Sequence, residues 1–213
     1  MRAAVGILGG SFDPVHRGHL ALAAGARARL GLERVLLVPA GQQPLKRQGP
    51  VASPADRLRM LQLAVAEAGA QDWLQICTLE LERPGPSYTV DTLQALRARL
   101  GGETELVFVA GADVLRDLQG WRRLDRVLEL ARFVVCSRPG FAAELPPALR
   151  GRIEHLELAT PQVSSSAVRA AIAAGELERA RAMVPAAVWR YIQERGLYRA
   201  ARGPDAAPQA AGR

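Results

Sequence analysis

Ala3-Ala4-Val5-Gly6-Ile7-Leu8-Gly9-Gly10-Ser11-Phe12-Asp13-Pro14-Val15-His16-Arg17-Gly18-His19 begins as a compact apolar run and breaks on two glycines. Ala3–Leu8 reads as a buried strand. Gly9-Gly10 makes a sharp turn, and Asp13 followed by Pro14 predicts an N-cap with proline at the first helical position. The alanine-rich stretch Val15–Leu30 then carries helix propensity until Gly31 stops it. Strand, glycine turn and helix follow one another without a wasted residue.

The alternation continues along the chain. Arg34–Val38 predicts a strand closed by Pro39, and Gly41–Val51 is a Gly/Gln/Pro loop. Ser53, Pro54 and Asp56 mark a helix start. That helix runs to about Gly69 and is followed by a strand at Leu74–Thr78. After the stiff Arg83-Pro84-Gly85-Pro86 loop, Ser87 is expected to cap a helix over Tyr88–Leu100. Glu105–Val109 and Phe133–Ser137 read as strands, with a helix or two over Val114–Leu130 between them, and His155–Leu158 as a last short strand. Helices are expected from Ser164 to about Ala174 and from near Pro185 to Gly196.

This pattern predicts an α/β fold, a Rossmann-like, mostly parallel sheet flanked by helices. One domain is expected over 1–199, its helical part at about 164–196 completing the site. The Ala/Gly/Pro/Gln stretch 200–213 is expected to fray. In such folds ligands bind beyond the carboxyl ends of the strands, so the loops after Leu8, Val38, Thr78 and Val109 carry the interest.

Composition narrows the function classes. Apolar residues make up 49% of the chain and charged residues 23%, as in a globular domain. Arg, Asp or Glu interrupts every long apolar run, which excludes a membrane span. Val5–Leu8 is too short for a signal h-region, so the cytoplasm is the expected location. Cys77 and Cys136 form no CxxC and read as reduced thiols. The net charge of +7 invites a nucleic-acid reading. The positive residues are nearly all arginine and scattered, however, and Lys46 is the only lysine. Neither nucleic acid nor membrane is the expected partner, and a homo-oligomer is left open.

The loop Gly9–His19 is neither a GxGxxG fingerprint nor a P-loop. Its glycines still let backbone amides approach a ligand, and a helix start offers free N–H groups to a phosphate. His16 and His19, two of three histidines in the chain, fall on one face of the first turn. No Cys, Asp or Glu stands at ligand spacing beside them, so zinc is a poor reading and no metal ligand is assigned. Phosphate binding is the stronger one. Farther along, Val163-Ser164-Ser165-Ser166-Ala167-Val168-Arg169 places hydroxyls and amides at a helix start, with Arg169 one turn inward to reach a phosphate.

The segment His16-Arg17-Gly18-His19 resembles the signature of the nucleotidylyltransferase superfamily of HxGH enzymes. Val163–Arg169 resembles that superfamily's second signature, ISSTxIR, with valine for each isoleucine and serine for the threonine. The resemblance implies the nucleotidylyltransferase fold and adenylyl transfer from ATP, with Mg²⁺ as cofactor. It implies that His19 stabilises the transition state at the α-phosphate and that His16 helps bind the phosphates. Arg169 and Lys46 would join them in catalysis. Gly9, Gly10, Ser11, Phe12, Gly18, Ser164, Ser165 and Ser166 would form the ATP and phosphate surface, with Phe12 packing beneath its loop. Around Lys46 relatives often carry a Pro-Pro-His-Lys-like run, and here Leu45 stands where the histidine is common.

Three further features narrow the acceptor. Ser87-Tyr88-Thr89-Val90-Asp91-Thr92-Leu93 resembles the SYTxDTL run of bacterial nicotinate mononucleotide adenylyltransferases. Gly111-Ala112-Asp113 with Leu118 and Trp121 resembles their GADxxxxLxxW run, and the chain length fits. The resemblance covers roughly 3–195 and implies ATP and nicotinate mononucleotide as partners. On physical grounds Trp121 offers a plane to a pyridine ring, and Tyr88 and Thr89 offer a hydroxyl and amides to its carboxylate. Gly111 and Asp113 would join the ATP and phosphate surface, Asp113 accepting from ribose hydroxyls. Preference for nicotinate over nicotinamide requires donors aimed at the carboxylate and no acid close by. A nicotinamide mononucleotide adenylyltransferase and a phosphopantetheine adenylyltransferase are the alternatives; a basic nucleic-acid binder leaves His16 and His19 unexplained.

Overall fold

A computed structural model describes residues 3–43, 49–140 and 146–200. The strands are β1 (Ala4–Gly10), β2 (Arg34–Pro39), β3 (Leu74–Ile76), β4 (Glu105–Gly111), β5 (Arg132–Ser137) and β6 (Ile153–Glu157). The helices are α1 (Arg17–Leu30), α2 (Pro54–Glu67), α3 (Leu79–Glu82), α4 (Thr89–Leu100), α5 (Leu124–Leu130), α6 (Ser165–Ala173), α7 (Leu177–Met183) and α8 (Ala186–Arg195).

The strands form one sheet in the order β3-β2-β1-β4-β5-β6, and every pairing is parallel. A parallel sheet must be covered on both faces, and β1 shows how. Val5 and Ile7 belong to one buried cluster with Val90, Leu93 and Leu96 of α4 and Val127 of α5. Leu8 points the other way, into a cluster with Met60 and Leu61 of α2, Val168 and Ile172 of α6, and Val188 and Ile192 of α8. Each buried Leu, Ile or Val contributes about 1.5–3 kcal/mol. At Gly6 a Cβ would stand 2.7 Å from Leu32 Cδ1, so the α1–β2 connection closes over a strand position that has no side chain.

The last helices are tied to the second. No side chain caps α8 from within its own segment, but the Glu67 carboxylate accepts from the N–H groups of Ala186 at 2.9 Å and Ala187 at 2.6 Å. Asp56 accepts from Tyr191 O–H at 2.7 Å and from Arg195 Nε at 3.3 Å, binding the other end of α8 to α2.

Local details depart from the expected pattern. Helix α1 starts at Arg17 rather than at Pro14, with His16 as its N-cap. Asp13 caps nothing there, because its carboxylate is taken by Val51, Ala52 and Tyr198. Ser87 is not the cap of α4 either: Tyr88 holds that position without a side-chain bond, and Ser87 Oγ donates to the Glu80 carbonyl oxygen at 3.4 Å. Before α5 the chain makes two 3-10 turns, Ala112–Arg116 and Leu118–Gly120. The short helix α3 follows Thr78 without a side-chain cap bond, and α7, with Glu176 at its N-cap, buries only Ala180. No helix among the described residues is long and apolar enough to cross a membrane.

Candidate active site

The sheet order reverses at β1, whose neighbours β2 and β4 lead to opposite edges. Beyond the carboxyl ends of these strands lies a cleft of about 860 Å³, where a doubly wound sheet binds ligands. The first loop, the start of α4, the turns after β4 and the start of α6 all contribute to it. Gly9, Gly10, Ser11, His16, Gly18 and His19 line it from the first loop, with Ser164, Ser165, Ser166 and Arg169 beside them. Tyr88, Thr89, Gly111, Asp113 and Trp121 line the same cleft.

The two histidines cap one another. His19 N–H donates to His16 Nδ1 at 3.3 Å, and His16 N–H donates to His19 Nδ1 at 3.2 Å. The rings stack with centroids 3.6 Å apart and planes inclined by 19°. A backbone N–H can only donate, so both Nδ1 atoms must be acceptors, and each neutral ring carries its proton on Nε2. No described residue accepts from either Nε2. Burial lowers the pKa of His16 to about 4. His19 is held well below the ordinary value by burial first and by His16 second. At neutral pH the pair therefore presents two uncharged donors to the cleft.

Two neighbours hold this arrangement. Phe12, fully buried with φ 48°, packs its ring edge-on to His19 at 4.9 Å. A Cβ on Gly10 would stand 3.3 Å from the same ring. Phe12 does not line the cleft and supports the loop from beneath, as expected. Gly18 leaves room for the His16 ring, whose Nδ1 would lie 3.0 Å from an added Cβ.

Helix α6 is docked against the first loop. Ser165 Oγ donates to the Pro14 carbonyl at 2.9 Å, and Ser164 Oγ caps the helix by accepting from Ala167 N–H at 3.1 Å. Arg169 donates through Nη1 to the Asp13 carbonyl at 2.7 Å and through Nη2 to Ser166 Oγ at 3.3 Å. Lys46 lies outside the described residues, as does Leu45.

At the other end of the cleft Trp121 is half-buried, edge-on to Phe108 at 5.6 Å and to Phe133 at 5.8 Å. The Arg122 guanidinium sits 4.7 Å over the Tyr88 ring. Asp113 is exposed, its Oδ1 folded close to Gly111. Glu80, which sequence reasoning missed, also lines the cleft. Thr92 Oγ1 donates to its carboxylate at 2.8 Å. Burial raises its pKa against that bond, the Gly41 amide and Arg83. Its Oε1 is thus engaged by Thr92. Arg57 and Tyr198 escaped notice too, and Asp13 was read only as a cap, because nothing local in the sequence links positions so far apart. Cys136 lines the cleft as a free thiol, pushed up to about 11 by burial.

With this geometry in place, similarities to known proteins become informative. Residues 7–171 match the family described as Cytidylyltransferase-like. A protein of Roseiflexus sp. (strain RS-1), described as a probable nicotinate-nucleotide adenylyltransferase, is 45% identical over 203 residues, covering 92% of this chain and 98% of its own. One of Thermomicrobium roseum with the same description is 40% identical over 216 residues, covering 98% of each. The fold matches Plasmodium falciparum nicotinic acid mononucleotide adenylyltransferase complexed with NaAD at a TM-score of 0.73 and 17% identity, over 92% of this chain and 97% of that one.

Proposed function

This chain belongs to the nicotinate-nucleotide adenylyltransferase family, and we propose that the cleft beyond β1 and β4 is where it adenylylates nicotinate mononucleotide. A phosphate oxygen of the mononucleotide attacks the α-phosphorus of ATP. The bond from that phosphorus to the bridging α–β oxygen breaks, and pyrophosphate leaves with the electron pair. The product is nicotinate adenine dinucleotide. The nucleophile is already an anion, so no strong general base is required. Alignment and charge stabilisation do the work.

One observation carries this reading: the reciprocal histidine cap leaves two neutral Nε2–H donors facing the cleft. His19 stabilises charge at the α-phosphate and His16 holds the departing phosphates. Arg169 supplies the positive charge that neutral imidazoles lack, with Lys46 as a second source. The Ser164–Ser166 segment adds amides and hydroxyls at a helix start.

Among the described residues no group of three or more His, Cys, Asp or Glu is placed to hold a metal ion. The donor set suits an ion carried in by the triphosphate and its waters, the usual habit of Mg²⁺. Bound there, Mg²⁺ would neutralise phosphate charge. The protein's own groups provide the alignment.

For the acceptor, Trp121 offers its plane to the pyridine ring, Tyr88 and Thr89 face its carboxylate, and Asp113 meets ribose hydroxyls. Glu80 lines the same cleft, where Thr92 Oγ1 bonds its carboxylate and the Arg83 charge offsets its own. The helices after Ser164 are read as part of one domain with the sheet, because they pack into the core cluster that β1 shares.

The test is pyrophosphate release with MgATP and, in parallel, nicotinate mononucleotide, nicotinamide mononucleotide and phosphopantetheine. The highest kcat/KM is expected with nicotinate mononucleotide. Preference for the nicotinamide form would overturn the ring-pocket assignment, and release with none of them would overturn the function.

A further inference from the structure

Asp13 is buried at the base of the phosphate loop, and its two carboxylate oxygens take three protein donors. Val51 N–H reaches Oδ2 at 2.7 Å, while Ala52 N–H at 3.0 Å and Tyr198 O–H at 2.8 Å both reach Oδ1. Arg169 stands on the loop side, its Nη1 bonded to the Asp13 carbonyl and 3.8 Å from Asp13 Oδ2. Arg57 lies beneath, almost fully buried, donating to the Ser11 carbonyl at 2.8 Å with Nε unpartnered.

We propose that Tyr198 is a positioning residue for adenylyl transfer: through Asp13, its hydroxyl sets the Arg169 guanidinium at the phosphate end of the cleft. The proposal rests on the function argued above, in which Arg169 meets the phosphates.

A carboxylate buried beside two arginines attracts both. Tyr198 on Oδ1 and Val51 on Oδ2 fill the carboxylate between them, so Arg169, 3.8 Å from Oδ2, stays on the Asp13 carbonyl instead of folding inward. The phenol suits the task. Burial and the neighbouring Asp13 raise its pKa, so it remains a donor. Its backbone is committed as well, with φ 65° three residues beyond the end of α8 and the ring buried. Phenylalanine would fill the same space and leave Oδ1 one donor short. Arg169 is then the movable donor nearest to hand, and whatever it gives Asp13 it withdraws from the triphosphate.

The experiment is a double-mutant cycle with Tyr198→Phe, Arg169→Ala and the pair, read in kcat, in KM for nicotinate mononucleotide and in thermal midpoint. Tyr198→Phe is expected to lower kcat about tenfold, the scale of a misplaced catalytic group, with KM for the mononucleotide within about twofold. In the Arg169→Ala background the same change should cost nothing further. A purely structural tyrosine would lose the same factor in both backgrounds. That result, or a wild-type kcat in Tyr198→Phe, overturns the proposal. An inactive wild-type protein would instead overturn the function, and the cycle read in the Kd for MgATP would then decide the coupling between Tyr198 and Arg169 alone.

Discussion

His16 and His19 are each other's helix cap: each Nδ1 accepts the other's backbone N–H while the two rings lie face to face at 3.6 Å. A reciprocal cap normally pairs a short hydroxyl residue with Glu or Gln. Using imidazoles for both halves turns a structural device into a tautomer lock. Protonating either Nδ1 destroys an acceptor, so the state competent to cap is also the state that carries its proton on Nε2, toward the cleft.

The lock makes stability sensitive to acid. A histidine near 6.5 in the unfolded chain and about 4 when folded binds its proton more tightly unfolded. Its contribution is complete above about 6.5 and is lost as pH falls toward 4, on the order of 3 kcal/mol for His16; His19 acts in the same direction. Denaturant titrations between pH 7 and 4.5 should show this slope, and His16→Asn, which can still cap, should flatten it. An equal slope in both proteins would contradict the assignment.

His19→Ala should lower kcat by about 10²–10³, the usual cost of one preorganised donor. The residue lies on the first turn of α1, and the fold should survive with a modest loss from the broken cap. Equal turnover in variant and wild type would remove His19 from the mechanism.

Gly18→Ala tests the space beside the His16 ring. The added methyl stands 3.0 Å from His16 Nδ1 and 3.1 Å from its Cε1, so the imidazole must shift. A displacement of a few tenths of an ångström should cost about tenfold in kcat, and alanine suits the helix better than glycine, so the thermal midpoint should not drop. A variant with unchanged kcat would show that His16 placement is not demanding.

The sheet and the cleft were legible because they rest on local grammar. Apolar runs such as Val5–Leu8 and Glu105–Val109, each closed by glycine, alternate with helical stretches, and that alone dictates a parallel sheet with its loops at one end. The histidines were legible because both partners sit in one turn. Asp13 was misread: before proline it has the form of a cap, and only contacts 38, 39 and 185 positions away claim its carboxylate. Glu80 was silent for the same reason, since Thr92 and Gly41 meet it across separate segments. Side chains engaged by distant backbone leave no periodic trace, whereas buried faces do.

Glu67 illustrates that kind of contact and makes a prediction away from the cleft. Its carboxylate accepts from two free N–H groups at the start of α8, 119 and 120 positions away. Glu67→Ala should lower stability by about 1–2 kcal/mol, the cost of a lost cap, with kcat within about twofold. A large fall in kcat without a fall in stability would mean that α8 positions the site more directly than its packing suggests.

Trp121 tests which substrate its side of the cleft receives. It is half-buried and edge-on to Phe108 and Phe133, so the indole is fixed by the core while one side remains open to the cleft. A ring stacked there is worth about 1–2 kcal/mol, which is roughly tenfold in affinity. Trp121→Ala should therefore raise KM for nicotinate mononucleotide about tenfold and leave KM for ATP within about twofold. Part of the cost will appear as lower stability, because two aromatic contacts vanish with the indole, and Trp121→Phe should recover most of both. If KM for ATP rises instead, the tryptophan faces the adenosine half, and Tyr88 and Thr89 must recognise the pyridine ring without it.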